Sequence, residues 1–202
     1  MITIVNYGMG NLGSMVNMFK RIGVKANIEA EPEVIGRAEK LLLPGVGAFD
    51  SAMTCIDSVP DLREVLNHKA MVEKVPILGV CLGMQLLTRS SEEGKLPGLG
   101  WIPGTTSRFP KQEGLKVPHM GWNVALPNTP SHLTVQVGDK PRYYFVHSYC
   151  VHVDDPGHSL MKTHYGSDFD SAIGRDNIYG VQFHPEKSHR FGMQILKNFA
   201  EL

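Results

Sequence analysis

The first half of the chain alternates between short apolar runs and stretches with helical spacing. Short apolar runs predict four strands, at residues 2–5, 26–29, 41–43 and 75–81. Apolar residues at i, i+3, i+4, i+7 and i+10 predict one face of a helix, namely Leu12, Met15, Val16, Phe19 and Ile22. A shorter helical face is predicted at Leu62, Val65 and Leu66. This alternation of strand and helix predicts a doubly wound, mostly parallel sheet of the α/β class.

The second half has a different pattern, with strands and turns and little helical period. The longest aromatic and β-branched stretch spans residues 143–153, and a second spans residues 178–184 after a predicted hairpin turn at Asp176-Asn177. Ser188 is a candidate N-cap of a final helix, whose apolar face is Phe191, Ile195, Phe199 and Leu202. We therefore expect an antiparallel β portion added to the parallel sheet.

Composition and charge exclude several classes of protein. Twenty basic residues balance 20 acidic ones, so the formal net charge of +0 gives no reason to expect a nucleic-acid partner. No apolar run approaches the roughly 20 residues that span a bilayer, and the first residues look like a strand rather than a signal peptide. The three cysteines are widely spaced, so we expect no disulfide framework, no metal site and a cytoplasmic location. No cofactor is expected. Residues 1–202 are expected to form a single elaborated domain.

Residues 79–83, with the sequence Gly-Val-Cys-Leu-Gly, follow a predicted strand and contain a candidate nucleophile. A tight strand-to-helix turn would expose the Cys81 side chain at the top of the sheet, and the flanking glycines would relieve clashes in that turn. A helix that begins after Cys81 would favour the thiolate and place the Leu82 amide toward an oxyanion. The alternative is a small buried core cysteine.

A cysteine nucleophile needs a base, and His184 is the strongest of the nine histidines. It lies at the end of a predicted strand, and Pro185 makes the following bend rigid. Glu186 lies two residues further on, where an extended chain would turn both side chains to one face. The carboxylate could then orient the imidazole and stabilise its charged form. The alternative is a solvated His-Pro turn at a strand end.

A second oxyanion donor is expected on the loop of residues 44–47, with the sequence Pro-Gly-Val-Gly. This loop follows a predicted parallel strand, so it lies at the same carboxyl edge of the sheet as Cys81. Its glycines would let a peptide N–H turn inward toward a substrate carbonyl. Taken alone, the same pattern is only a turn.

Together these segments resemble the class I, or triad, glutamine amidotransferases. Residues 79–85 and 182–186 look like that family's Cys and His-x-Glu motifs. Five further segments resemble one branch, the glutaminase subunits of imidazole glycerol phosphate synthase: residues 6–12, 44–49, 118–123, 144–149 and 184–188. One departure from that branch is Cys150, which we interpret as a small core residue.

The resemblance implies the catalytic roles. Cys81 would attack the side-chain amide of L-glutamine, His184 would pass the thiol proton to departing ammonia, and Glu186 would hold His184. Water would then hydrolyse the glutamyl thioester. The oxyanion hole would consist of amides from Val46, Gly47 and Leu82.

The resemblance also implies substrate contacts and a partner. The glutamine main-chain groups would be bound by Gln85, Ser148 and Tyr149, although ordinary strand alternation is the alternative for the last two. A cyclase subunit with a (β/α)₈ barrel would form a heterodimer with this chain. It would receive ammonia through a tunnel and make imidazole glycerol phosphate and aminoimidazole carboxamide ribotide for histidine biosynthesis. Positions near the interface would be Asn11, Met120, Trp122, Tyr144 and Lys187, of which Met120 and Trp122 could equally be core residues.

Three other functions fit parts of the sequence. One is a glutaminase subunit of another class I branch, serving pyridoxal phosphate, anthranilate or guanylate synthesis. The loop of residues 44–47 argues against it, because most other branches carry Pro-Gly-Gly there. Another is a stand-alone cysteine hydrolase such as a peptidase, and the third is a non-catalytic activator of a cyclase, which the intact Cys81, His184 and Glu186 oppose.

Overall fold

A computed structural model describes residues 1–202 and contains twelve strands. In chain order they are β1 (Ile2–Val5), β2 (Ala26–Glu29), β3 (Leu41–Leu43), β4 (Ile77–Val80), β5 (Gly104–Arg108), β6 (His119–Val124), β7 (Leu126–Pro127), β8 (Arg142–His147), β9 (Tyr149–Val153), β10 (Ser159–Tyr165), β11 (Ser167–Arg175) and β12 (Ile178–Val181). The α-helices are α1 (Leu12–Arg21), α2 (Pro32–Ile35), α3 (Phe49–Ser58), α4 (Leu62–Asn67), α5 (Leu82–Leu86) and α6 (His189–Glu201). None of these helices is long and apolar enough to span a bilayer.

The centre of the fold is a parallel sheet in the order β2-β1-β3-β4-β12. Strand β12 then pairs antiparallel with β11, which continues the sheet through β10 and β7, while β9 and β5 form a branch from β11. Strands β6 and β8 form a separate antiparallel sheet. The predicted class, a mostly parallel sheet with an added antiparallel portion, is confirmed.

The parallel strands are buried on both faces, which explains their continuous apolar sequences. One apolar cluster contains Ile2, Ile4 and Leu42 with the inner faces of α1 and α6. The cluster on the opposite face contains Leu41 and Leu43 with residues of α3, α4 and α5. Because β3, β4 and β12 are parallel neighbours, their carboxyl ends lie at one edge of the sheet, where an α/β sheet binds its ligands.

Several element boundaries differ from those predicted. The stretch of residues 143–153 is two strands in two different sheets, separated at Ser148. Strand β12 ends at Val181, so residues 182–184 leave the sheet and lead into a 3-10 turn at Pro185–Lys187. Helix α3 was not predicted from the spacing of its apolar residues. The hairpin turn at Asp176-Asn177 is confirmed by the antiparallel pairing of β11 with β12.

Candidate active site

Cys81 lies on a strained turn between β4 and α5. Its backbone has φ 56° and ψ −113°, a conformation that L-residues rarely adopt and that persists where the surrounding structure enforces it. A Cβ at Gly79 would lie 2.6 Å from the Gly83 carbonyl oxygen, and a Cβ at Gly83 would lie 2.0 Å from the Leu43 carbonyl oxygen. The flanking glycines therefore permit the close approach of β4, α5 and β3, and this supports the predicted nucleophile turn.

His184 and Glu186 follow β12, the strand that pairs with β4 in the sheet. The Nδ1 atom of His184 is 2.8 Å from Oε1 of Glu186, and both side chains are almost completely buried. The sequence predicts that the two side chains share one face of an extended chain, and this is not how they meet. Instead, the 3-10 turn that starts at Pro185 folds the carboxylate back onto the ring. The predicted proximity stands, but a turn rather than a strand produces it.

Two neighbouring side chains favour the charged form of the His184 imidazole. Burial lowers its pKa, but Cys81 and Glu186 outweigh that effect and raise the pKa to about 10. Nδ1 donates to Glu186, whereas Nε2 is buried and has no hydrogen-bond partner. The carboxylate therefore fixes one ring nitrogen and leaves the other unpaired, the arrangement expected of an oriented base.

Ser188 supports this turn and does not cap α6 with its side chain. Its hydroxyl donates to the His184 carbonyl at 2.6 Å and accepts from the Tyr144 amide at 2.9 Å. The His184 amide in turn donates to the Tyr144 carbonyl at 2.9 Å. The predicted side-chain cap is wrong, because the hydroxyl ties the histidine turn to β8 instead.

A cavity of about 240 Å³ opens at Cys81. This is below the roughly 300–1,000 Å³ of drug-sized ligand sites, as suits a small substrate. Most of the predicted site residues line it together: Val46, Gly47, Cys81, Leu82, Gln85, Ser148, Tyr149 and His184. Four lining residues were not predicted from the sequence as site residues: Glu93, Pro118, Val146 and His147.

The loop of residues 44–47 is held against the nucleophile turn. The Tyr7 hydroxyl donates to the Pro44 carbonyl, and a Cβ at Gly45 would lie 2.7 Å from the Gly83 amide nitrogen. Gly47 has φ 102°, a value that glycine adopts without strain. The Leu82 amide is at the first position of α5, where a backbone N–H has no partner within the helix. Val46, Gly47 and Leu82 thus line the cavity together with Cys81, where the predicted oxyanion donors would have to lie.

The Tyr149 carbonyl is a central acceptor in the cavity wall. Gln85 Nε2 donates to it at 3.2 Å and to Gln182 Oε1 at 3.0 Å, and Gln182 Nε2 lies 3.8 Å from the Cys81 sulfur. His147 Nδ1 lies 2.7 Å from the same carbonyl, so this nitrogen carries the proton. Gln182 is the first residue of the segment 182–186 that contains the predicted histidine motif, but no sequence pattern connects it with the thiol.

His147, in the cavity wall, is paired with a second buried histidine, His119. His147 Nε2 is 3.0 Å from His119 Nδ1, and His119 Nε2 is 3.2 Å from the Asn123 amide nitrogen. Burial lowers the pKa of His119 to about 4 and is the main cause that lowers the pKa of His147 to about 3. Both rings are therefore neutral near pH 7. Their pairing arises from the register of β6 on β8, which the sequence alone does not specify.

Four of the five predicted interface residues form one surface, here called the aromatic surface: Met120, Trp122, Tyr144 and Lys187. Met120 is 62% exposed and Trp122 is 40% exposed, so neither is a core residue. The Trp122 ring packs edge-on against Tyr144 and stacks on His189, and Lys187 Nζ lies 5.6 Å from the centre of the Tyr144 ring. The fifth residue, Asn11, instead accepts a hydrogen bond from the Ser14 amide at the start of α1.

Comparison with known proteins agrees with this geometry. The family model described as "Glutamine amidotransferase class-I" matches residues 3–202. The chain is 52% identical to "Imidazole glycerol phosphate synthase subunit HisH 2" of Methanococcus maripaludis and 48% identical to the protein of the same name in Pseudomonas aeruginosa. Both alignments cover 100% of this chain and at least 99% of the relative.

Solved structures share the fold at low sequence identity. PurLQS from Thermotoga maritima superposes with a TM-score of 0.75 at 15% identity, covering 99% of this chain and 97% of that one. The glutaminase domain of Trypanosoma brucei CTPS superposes with a TM-score of 0.66 at 14% identity, covering 99% and 93%. With the family match over nearly every residue, these results show that the chain belongs to the class-I glutamine amidotransferase family.

Proposed function

We propose that this chain is the glutaminase subunit of an imidazole glycerol phosphate synthase. It hydrolyses L-glutamine to glutamate and ammonia and delivers the ammonia through a tunnel to a cyclase subunit of histidine biosynthesis. The observation that carries the proposal is the contact of His184 with Glu186 beside a buried, strained Cys81. The names of the two relatives given above support the same branch.

The reaction begins when the Cys81 thiolate attacks the side-chain amide carbon of glutamine. Negative charge moves to the amide oxygen, where the amides of Leu82 and of the loop at Val46 and Gly47 stabilise it. The carbon–nitrogen bond then breaks, and protonated His184 gives its proton to the departing nitrogen, which leaves as ammonia. The product on the enzyme is a glutamyl thioester.

Water completes the cycle. Neutral His184 takes a proton from a water molecule as that water attacks the thioester carbon. The carbon–sulfur bond breaks, glutamate is released, and Cys81 returns as the thiolate beside imidazolium. Throughout, Glu186 keeps Nδ1 protonated, so that Nε2 is the nitrogen that exchanges protons.

The cavity contains polar groups suited to the main-chain end of glutamine. Both Gln85 Nε2 protons have partners within the protein, so its Oε1 is the atom left to accept from the substrate ammonium. Glu93 contributes a carboxylate to the same cavity while accepting from the Phe49 amide at 2.9 Å. Ser148 and Tyr149 complete the proposed set.

We propose that the aromatic surface and Asn11 bind the (β/α)₈-barrel cyclase subunit in a heterodimer. Aromatic residues and Met are enriched in the buried parts of protein interfaces, and the exposed Met120 and Trp122 fit that composition. We also propose that residues 1–202 form a single glutamine amidotransferase domain, which the family match over residues 3–202 supports. The cytoplasmic location stays a prediction.

The test separates glutamine hydrolysis from use of ammonia. In the complex with the barrel subunit, Cys81→Ala should abolish synthesis from glutamine and leave synthesis from ammonium salts unchanged. Cys55→Ala is the control, because it removes a thiol that does not line the cavity. Loss of both activities in Cys81→Ala would contradict the proposal, as would glutamine-dependent synthesis that survives the substitution. Repeating the assay with the synthase subunit of another class I amidotransferase tests the assignment to the imidazole glycerol phosphate synthase branch.

A further inference from the structure

Gln182 is a buried polar residue that the mechanism above does not use. Its side chain has no exposed surface, and it lies between the end of β12 and His184. The amide nitrogen faces the Cys81 sulfur at 3.8 Å, within hydrogen-bonding distance for a sulfur acceptor. A buried amide that faces the nucleophile can affect the charge on that nucleophile.

Backbone contacts fix the direction of this amide. The Tyr149 carbonyl can only accept, so the Gln85 atom 3.2 Å from it must be the nitrogen. That nitrogen also donates at 3.0 Å to Gln182, so the Gln182 atom facing Gln85 must be the oxygen. The remaining end of the Gln182 amide, which faces Cys81, is therefore the N–H₂ group.

We propose that Gln182 is a positioning residue that stabilises the Cys81 thiolate by donating an N–H hydrogen bond to its sulfur. The donor complements His184, so that the sulfur anion has a hydrogen-bond donor as well as a positively charged ring. Gln85 and the Tyr149 carbonyl keep the amide from rotating. Once sulfur carries the glutamyl group its charge is gone, and the hydrogen bond weakens; its effect therefore falls mainly on the free enzyme.

Several other groups near the Cys81 sulfur can also affect its charge, and a Gln182 substitution does not remove them. The titratable ones are His184, with Glu186 behind it, and Tyr7, while His147 and Glu93 lie in the wall of the same cavity. Replacing Gln182 alone leaves all of them in place. A change in thiolate formation can then be assigned to the amide.

The inference rests on the proposed role of Cys81 as the nucleophile. The experiment measures alkylation of Cys81 by iodoacetamide against pH in the full chain, with peptide mass spectrometry to separate it from Cys55 and Cys150. In Gln182→Met the donor is absent, and the midpoint of the pH profile should rise by about one to two pH units, the shift that corresponds to the usual strength of a hydrogen bond to a charged group. In the isosteric Gln182→Glu, the acidic side chain should raise the midpoint further.

The matched control is Gln194→Met. Its amide donates to the Asn198 oxygen on α6 at 2.8 Å and does not line the cavity, so the midpoint should not move. An unchanged midpoint in a folded Gln182 variant, or a uniform rate change at all pH values, would overturn the inference and indicate a packing role. If Cys81 of the unsubstituted chain reacts no faster than Cys55 below pH 8.5, the ordinary thiol pKa, the nucleophile itself is wrong.

Discussion

The amide of Cys81 donates a hydrogen bond of 2.8 Å to the carbonyl of Val181. This bond extends the parallel pairing of β4 with β12 by one residue, up to the point where the nucleophile turn begins. His184 follows three residues after Val181, so the pairing of two strands brings together groups that are distant in the chain. The geometry of the site is thus a consequence of sheet register.

The contact between His184 and Glu186 leads to the first prediction. Glu186→Gln removes the charge that helps to raise the pKa of His184, so the imidazolium form is lost at lower pH than in the unsubstituted chain. We expect kcat for glutamine hydrolysis to fall by about 10²- to 10⁴-fold, because orienting carboxylates of triads contribute on that order. Steady-state kinetics of the complex against pH measure both effects. Glu201→Gln, on the exposed end of α6, is the control, and equal kinetics of the two variants would exclude the orienting role.

Close backbone packing at Gly83 leads to the second prediction. In Gly83→Ala the new Cβ would meet the Leu43 carbonyl oxygen at 2.0 Å, so the nucleophile turn must move away from β3. We expect a loss of about 3 kcal/mol or more in the free energy of unfolding, measured by urea denaturation. Gly13→Ala, where nothing lies within 4 Å, should be neutral or stabilising by up to about 1 kcal/mol. Similar losses in both variants would contradict the packing described here.

Neutral burial of His119 and His147 leads to a pH-dependent prediction. Their pKa values of about 4 and about 3 lie below the roughly 6.5 of a free imidazole, so between these limits the unfolded chain binds more protons than the folded chain. The free energy of unfolding should therefore decrease as the pH falls below about 6.5, by up to about 1.4 kcal/mol per pH unit for each histidine.

Replacing one of the two histidines tests this effect. Urea denaturation between about pH 7 and about pH 5 should give a shallower slope for His119→Gln than for the unsubstituted chain. His152→Gln, which replaces an exposed histidine on β9, should keep the original slope. Identical slopes for all three proteins would show that His119 is not held neutral by the fold.

The aromatic surface leads to a prediction about partner binding. Trp122→Ala removes a ring that packs with Tyr144 and His189 and is partly exposed. Central aromatic residues of interfaces contribute about 2 kcal/mol or more, so Kd for the barrel subunit should rise by about 30-fold. Isothermal titration calorimetry measures this change. The control is Met71→Ala, at a similarly exposed position remote in sequence, which should bind normally. An unaltered Kd for Trp122→Ala would show that the aromatic surface is not part of the interface.

The sequence predicts those parts of the molecule that depend on local spacing and continuous burial. The strand at residues 2–5 and the nucleophile turn at Cys81 are of this kind, because apolar runs and glycines act within a few residues. Helix α3 was missed because its first turn follows the loop of residues 44–47 without a recognisable cap; the Phe49 amide is instead satisfied by distant Glu93.

Features that depend on long-range pairing were not predictable in the same way. The division of residues 143–153 into β8 and β9 places His147 beside His119, a relationship set by strand register and not by any local pattern. The contact of Gln182 with Cys81 likewise requires β4 and β12 to be neighbours. Even the predicted pair of His184 and Glu186 forms through a turn that the alternation of an extended chain does not describe.

The most direct test of the central claim is covalent trapping at the proposed nucleophile. A glutamine analogue with an electrophilic ketone in place of the amide should modify the complex stoichiometrically. Peptide mass spectrometry should place the adduct on Cys81, with excess glutamine protecting it and His184→Ala slowing the reaction at least about a hundredfold. Modification at Cys55 or Cys150 instead, or modification of Cys81 that glutamine does not prevent, would contradict glutamine hydrolysis by these three residues.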